Sequence, residues 1–254
     1  MQVNDTQVTN APDGKAAAAA DSLQPIASRH HFIGLLLIGA AAVAFGFYAQ
    51  HGSGGGAPSG QMAGHGVAIQ VYLAAILADW ALFYYCWAGV HRRGGSLWSL
   101  AGGRWNSWRS VAVDLAILVP FWFLWEGAAN GAWRLLGPSG AKSYASLLPQ
   151  SLLEVLVWIA ACATAGICEE IVFRGYVQRQ LHAFTGRLTV AVVAQGVIFG
   201  VFHAYQGWKS VSVICVLGVL YGVLAAWRKN LRVNMMSHAL TDFWEGWLKF
   251  VVWR

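Results

Sequence analysis

Residues 152–175 read LLEVLVWIAACATAGICEEIVFRG, a long apolar run that ends in two adjacent glutamates, an arginine and a glycine. Apolar runs of about 18 residues or more are candidate membrane spans. A backbone in lipid must satisfy its own hydrogen bonds, and nothing in this run alternates with the period of a barrel strand, so it reads as a transmembrane helix. The rest of the chain agrees. Of 254 residues, 57% are hydrophobic and only 11% charged, against about 25% charged in a soluble domain. The composition excludes a disordered chain and an ordinary cytosolic protein.

Working outward, apolar runs place spans at Phe32 to Ala49, Val67 to Val90, Val111 to Trp125, Leu152 to Phe173, Leu188 to Ala204, Val211 to Trp227 and Val233 to Val252. The expected fold is all-α, a polytopic membrane bundle of about seven helices with its motif-bearing core in the last four. It divides into a polar cytoplasmic tail (1–31), three N-terminal helices with their loops (32–151) and the core (152–254). The tail is too long a leader for a cleaved signal peptide, so the first apolar run reads as a retained anchor. HGSGGGAPSG, residues 51–60, is a flexible linker. Pro120 lies inside the third span, where it frees a backbone carbonyl and is expected to kink the helix.

The net charge is +6, but the basic residues sit in short loops and form no stripe of the kind that binds nucleic acid, so no nucleic-acid partner is expected. With the N-terminus inside, 12 Lys and Arg fall on the cytoplasmic side and 5 on the other. That asymmetry predicts a multi-pass protein of the cell inner (plasma) membrane with a cytoplasmic N-terminus. The four cysteines, all in apolar segments, form no CxxC pair and no disulfide framework.

The acids are more informative. Beyond the tail there are eight, Asp79, Asp114, Glu126, Glu154, Glu169, Glu170, Asp242 and Glu245, each in or beside a span. A charge at mid-helix in lipid costs about 2.5–3.5 kcal/mol on insertion scales, so such residues face a bundle interior and mark function or pairing. In EEIVFRG (169–175), Glu170 and Arg174 form an i, i+4 pair of opposite charge, and Glu169 points about 100° away. One carboxylate is free for chemistry while its neighbour is structural; a solvated ion pair at a helix end is the plainer reading of the segment alone. FGVFH (199–203) supplies His203, an imidazole able to take and give protons near neutrality. HALTD (238–242) sets His238 and Asp242 on one helical face, with Asn234 and Glu245 extending the stripe. An interhelical hydrogen-bond seam is the plainer reading there.

Together these helices hold the means to activate water in a protected cavity: carboxylate or Glu/His bases, and donors for an oxyanion. Two histidines and one or two carboxylates also meet the ligand preferences of zinc, with ligands drawn from three helices. No cofactor is expected, and zinc stays open. The hairpin turn near Thr185-Gly186 puts Glu169 and His203 at similar depth, 16 residues before Thr185 and 18 after it. His238, only 9 residues past Lys229, joins them if that hairpin projects from the membrane or the last helix is offset.

EEIVFRG, FGVFH and HALTD, in this order, resemble the motifs EExxxR, FxxxH and Hxxx(N/D) of the CPBP family, the CAAX prenyl proteases and bacteriocin-processing enzymes also called the ABI family. The resemblance implies a glutamate-type intramembrane endopeptidase acting on a membrane-associated protein or peptide at the bilayer. It implies Glu169 as the base that activates water, helped by His203, with His238 and Asp242 on the oxyanion side and Glu170 and Arg174 in support; Phe199 packs. Asp242 stands where the prenyl proteases are expected to carry Asn, and an ionised Asp accepts hydrogen bonds without donating. It serves the oxyanion only when protonated, or else orients His238. Asp242 also slightly raises the metal-ligand alternative, because metalloprotease chemistry is a second mechanism proposed for members of this family.

Two readings from other classes compete: a non-catalytic membrane protein of bacteriocin-immunity or scaffold type, and a proton- or ion-conducting bundle using Asp79, Asp114 and the late acids. Gly218 and Gly222, spaced GxxxG, fit either dimerisation or packing within the bundle. Substrate identity and oligomeric state are not legible.

Overall fold

A computed structural model describes residues 24–51, 65–137, 148–244 and 246. Among them the regular structure is entirely helical. The chain runs through α1 (Arg29–His51), α2 (His65–His91), the short α3 (Leu97–Ala101) and α4 (Trp108–Leu136). The later half comprises α5 (Leu152–Glu170), a π turn over Ile171–Val177, α6 (Gln178–Thr185), α7 (Leu188–Phe202), α8 (Trp208–Arg228) and α9 (Arg232–Phe243), with a 3-10 turn at Ala204–Gln206 between α7 and α8.

Among the described residues five helical stretches are long and apolar enough to cross a membrane: Arg29–Tyr48, Val67–His91, Trp108–Leu136, Leu152–Thr185 and Trp208–Arg228. Only 11–39% of the residues in their apolar windows are buried, so the apolar surface faces outward, where lipid can cover it. The protein is a polytopic helical membrane bundle. Two expected spans are shorter than a full crossing: α7 has 15 residues and α9 has 12, and Trp247 onward lies outside the described residues, as do the linker and most of the tail.

Several boundaries move for identifiable reasons. The third span runs through Pro120 and on to Leu136, 11 residues past the expected end, because its polar residues do not break the helix: Asn130 Nδ2 donates to the Glu126 carbonyl one turn back, at 2.7 Å. The fourth does not stop at Phe173. It stays helical through the π turn to Thr185, where Gly186 at φ 66° donates its N–H to the His182 carbonyl and ends it. At the other end of this helix Ser151 and Glu154 form a capping box, and the buried Glu154 carboxylate accepts from Gln150 N at 2.6 Å and Ser151 N at 3.1 Å. That acid closes a helix end.

α7 and α8 pack with their backbones in touch. A Cβ added to Gly218 would lie 2.7 Å from Gly196 Cα, and one on Gly222 would meet Gln195 and Gln178. The GxxxG glycines therefore serve close packing inside the bundle. Gly175, on the π turn, sits level with Leu100 and Leu231, where Leu231 N donates to Ala101 O at 2.9 Å. α9 thus starts beside Gly175, and the α6–α7 hairpin projects beyond that level by about 15 Å at 1.5 Å per residue. This offset resolves the depth of His238.

A buried carboxylate, Asp114 on α4, ties the earlier helices to the later ones. It pairs with Arg228 Nη2 and Arg232 Nε, both at 2.7 Å, and accepts from Trp105 Nε1 at 2.8 Å. Near α6, the buried Gln180 side chain makes two bonds to the backbone of Ala27, at 3.1 and 2.8 Å, and His31 Nδ1 lies 2.8 Å from the Tyr176 hydroxyl.

Candidate active site

The π turn shapes the site. A π turn bonds i to i+5, and here Gln178 N–H reaches Phe173 O. All seven of its residues, Arg174 included, are buried. Glu170, just before the turn, is fully buried, and three side chains meet it. Arg174 Nη1 lies 2.7 Å from Glu170 Oε1, His238 Nδ1 lies 2.8 Å from the same oxygen, and Asn234 Nδ2 donates to Oε2 at 3.2 Å. Asn234 Nδ2 also donates to Tyr221 O at 2.8 Å, and the Arg174 guanidinium lies over the rings of Phe199 and Tyr221, 4.4 and 5.2 Å from their centres. A buried charge is tolerable only when its oxygens are this fully used.

Glu170 is an acceptor, so the Nδ1 proton of His238 points at it. That leaves Nε2 of His238 for chemistry, and two further carboxylates approach it: Glu169 Oε2 and Asp242 Oδ2, each at 3.6 Å. Glu169 Oε2 is buried with no hydrogen-bond partner among the described residues. His203, at the end of α7, donates Nδ1–H to the Phe199 carbonyl at 2.8 Å, so in the neutral ring Nε2 is the basic nitrogen. Phe199 packs between both histidines, with ring centres 4.9 Å from His203 and 6.0 Å from His238. A cavity of about 230 Å³ is lined by His203, Gln206, His238, Thr241 and Asp242 on one side and Trp125 and Trp133 of α4 on the other.

The structure thus brings Glu169, Glu170, Arg174, His238 and Asp242 into direct contact, and adds His203 through the shared cavity. Among the described residues His203 bonds to neither glutamate. Asp242 faces His238, the orienting geometry. Glu245 lies outside the described residues. Among the described residues no group of three or more His, Cys, Asp or Glu is arranged to hold a metal ion.

Two neighbours carry no motif and were not assigned from sequence. Burial pushes the Tyr205 phenol up, against a hydrogen bond donated by Gln206 Nε2 at 3.2 Å, and the charges of Glu169, Asp79 and Asp242 add to the upward shift. Asp79, an isolated acid in the apolar α2, lies within electrostatic range of Glu169, His238 and Asp242. The available signal was its mere presence in a span. Asp114 is spent in its arginine pairs.

Residues 151–244, which include all three motifs, match the family model described as type II CAAX prenyl endopeptidase Rce1-like, consistent with the CPBP resemblance of those motifs. No curated protein and no solved structure matches the chain.

Proposed function

We propose that this chain, whose residues 151–244 match the type II CAAX prenyl endopeptidase Rce1-like family model, is a glutamate-type intramembrane endopeptidase hydrolysing a peptide bond in a membrane-associated protein or peptide. The observation that carries the reading is the division of labour around His238. One ring nitrogen is 2.8 Å from a carboxylate saturated by Arg174 and Asn234, the other is 3.6 Å from both Glu169 and Asp242, and His238 and Asp242 line a cavity with His203.

In this reading Glu169, set behind the His238 and Asp242 wall of the cavity, removes a proton from a water bound beside it as the oxygen attacks the scissile carbonyl. His203, with its basic nitrogen free, assists that transfer and carries a proton toward the leaving amine. His238, held by Glu170 and flanked by two anions, is favoured as imidazolium and donates from Nε2 to the developing oxyanion. Asp242 orients the ring, which an ionised Asp can do without donating. Glu170 and Arg174 are positioning residues. The bilayer, the inner membrane with a cytoplasmic N-terminus, and a substrate that is a CAAX-type tail, a leader or a sorting signal complete the proposal, with no metal required by these steps.

The test compares peptide termini in membrane and secreted fractions of cells carrying wild type or Glu169→Gln, at equal amounts of folded protein. Termini that vanish in the variant establish proteolysis and identify the substrate; identical termini overturn the proposal in favour of a non-catalytic membrane protein.

A further inference from the structure

A second cavity lies at the opposite end of the Glu170–Arg174 pair from the histidines. It has a volume of about 800 Å³ and opens among the chain before α1, the α2–α3 turn, α6 and the α8–α9 turn. Five basic side chains line it, Arg93, Arg179, His182, Lys229 and the Glu170-paired Arg174, and among the described residues no Asp or Glu does. The contrast with nearby Arg228 and Arg232 is sharp, since both are neutralised by Asp114. Arg93, Arg179 and Lys229 have no ion pair among the described residues. Arg179 is held by carbonyls instead, Ser99 O at 3.4 Å and Leu100 O at 2.8 Å, which fix its position without offsetting its charge. Arg174 is 2% exposed, and its Nε–H is buried with no acceptor.

Like charges gathered around a concave, partly apolar surface repel one another unless an anion sits among them. Arg174 therefore brings an unsatisfied donor to the inner wall of the cavity. The size is that of a small-molecule site. A phosphate group suits the lining, because it offers several acceptor oxygens to Arg and Lys donors at once. The cavity also sits at the basic end of the bundle, the end that the Lys/Arg asymmetry assigns to the leaflet where anionic lipids concentrate, and basic pockets between helices on that side take lipid head groups.

We propose that this basic cavity is a binding site for a phosphate group, presented by an anionic lipid head group or by a soluble phosphate. It is separate from the candidate active site and touches it only through Arg174. The inference does not depend on the protease reading.

Thermal unfolding of the full chain in dodecyl maltoside micelles, whose head group carries no phosphate, provides the test, with three additions compared: phosphatidylglycerol, inorganic phosphate, and oleate as an anion without phosphate. The variants are the triple Arg93→Gln/Arg179→Gln/Lys229→Asn and the single Lys229→Asn. Asn suits the left-handed backbone at Lys229, φ 54°. The expected result is a rise in Tm of a few degrees with phosphatidylglycerol, absent in the triple variant, reduced in the single one, and not produced by oleate. The same pattern with inorganic phosphate supports the site and assigns it a soluble ligand. No shift with either phosphate, a shift that survives in Lys229→Asn undiminished, or an equal shift with oleate overturns the proposal. The exposed single variant keeps the test open if the triple one fails to fold.

Discussion

Two buried carboxylates organise this molecule, and they are built alike. Asp114 receives Arg228, Arg232 and Trp105; Glu170 receives Arg174, Asn234 and His238. Each sits where lipid-facing helices would otherwise bury an unpaired charge, and each has three donors. The difference is in what the donors do next. The partners of Asp114 are two arginines and an indole, groups that do not exchange protons near neutrality, and they hold the end of α8 and the start of α9 against α4. The partners of Glu170 include an imidazole whose second nitrogen faces two more carboxylates and an open cavity. The same electrostatic construction is a clamp in one place and the foundation of a reactive group in the other, and one residue type makes the distinction.

This comparison can be broken or sharpened by substitution. The largest expected effect is on activity: Glu169→Gln should lower the rate of substrate cleavage by about 10²–10⁴-fold with little change in Tm, because Glu169 Oε2 has no hydrogen-bond partner among the described residues. Arg174→Met should act on the fold instead, leaving Glu170 buried and short of a cation at a cost of about 3–5 kcal/mol, read as a large drop in Tm. Asp114→Asn should cost stability by about 1–3 kcal/mol and leave the pH profile of the reaction unshifted, since nothing in that cluster exchanges protons; a shifted profile would mean the two clusters are not functionally distinct. The smallest effect belongs to Asp242→Asn. If Asp242 only orients His238, Asn should preserve the rate within about tenfold, and a larger loss would show that a charge at this position is needed.

The sequence was most legible where chemistry and helical spacing coincide. The Glu170–Arg174 pair, the His238–Asp242 face, the stripe through Asn234 and the turn at Gly186 all follow from counting residues along single helices. It was least legible across helices. That Glu170 and not Glu169 would take Nδ1 of His238 depends on how α5 and α9 meet, and Asp79 reaches the site through packing of α2 that no local pattern records. The ends of the third and fourth spans failed for another reason: hydropathy sees polar side chains as stops, whereas Asn130 bonds its own backbone and Arg174 is buried against Glu170.

The π turn at Ile171–Val177 has a consequence for how the gene can vary. A widened turn holds one residue more than the α-helical turn it replaces. Removing a single residue there would let the helix close to regular α geometry and swing α6 by about 100° relative to α5. Gln180 would leave Ala27, Arg179 would leave the carbonyls of Ser99 and Leu100, and the hairpin carrying His203 would turn with it. A substitution in this stretch, such as Arg174→Met, acts on one cluster; a change in its length would act on every contact beyond it.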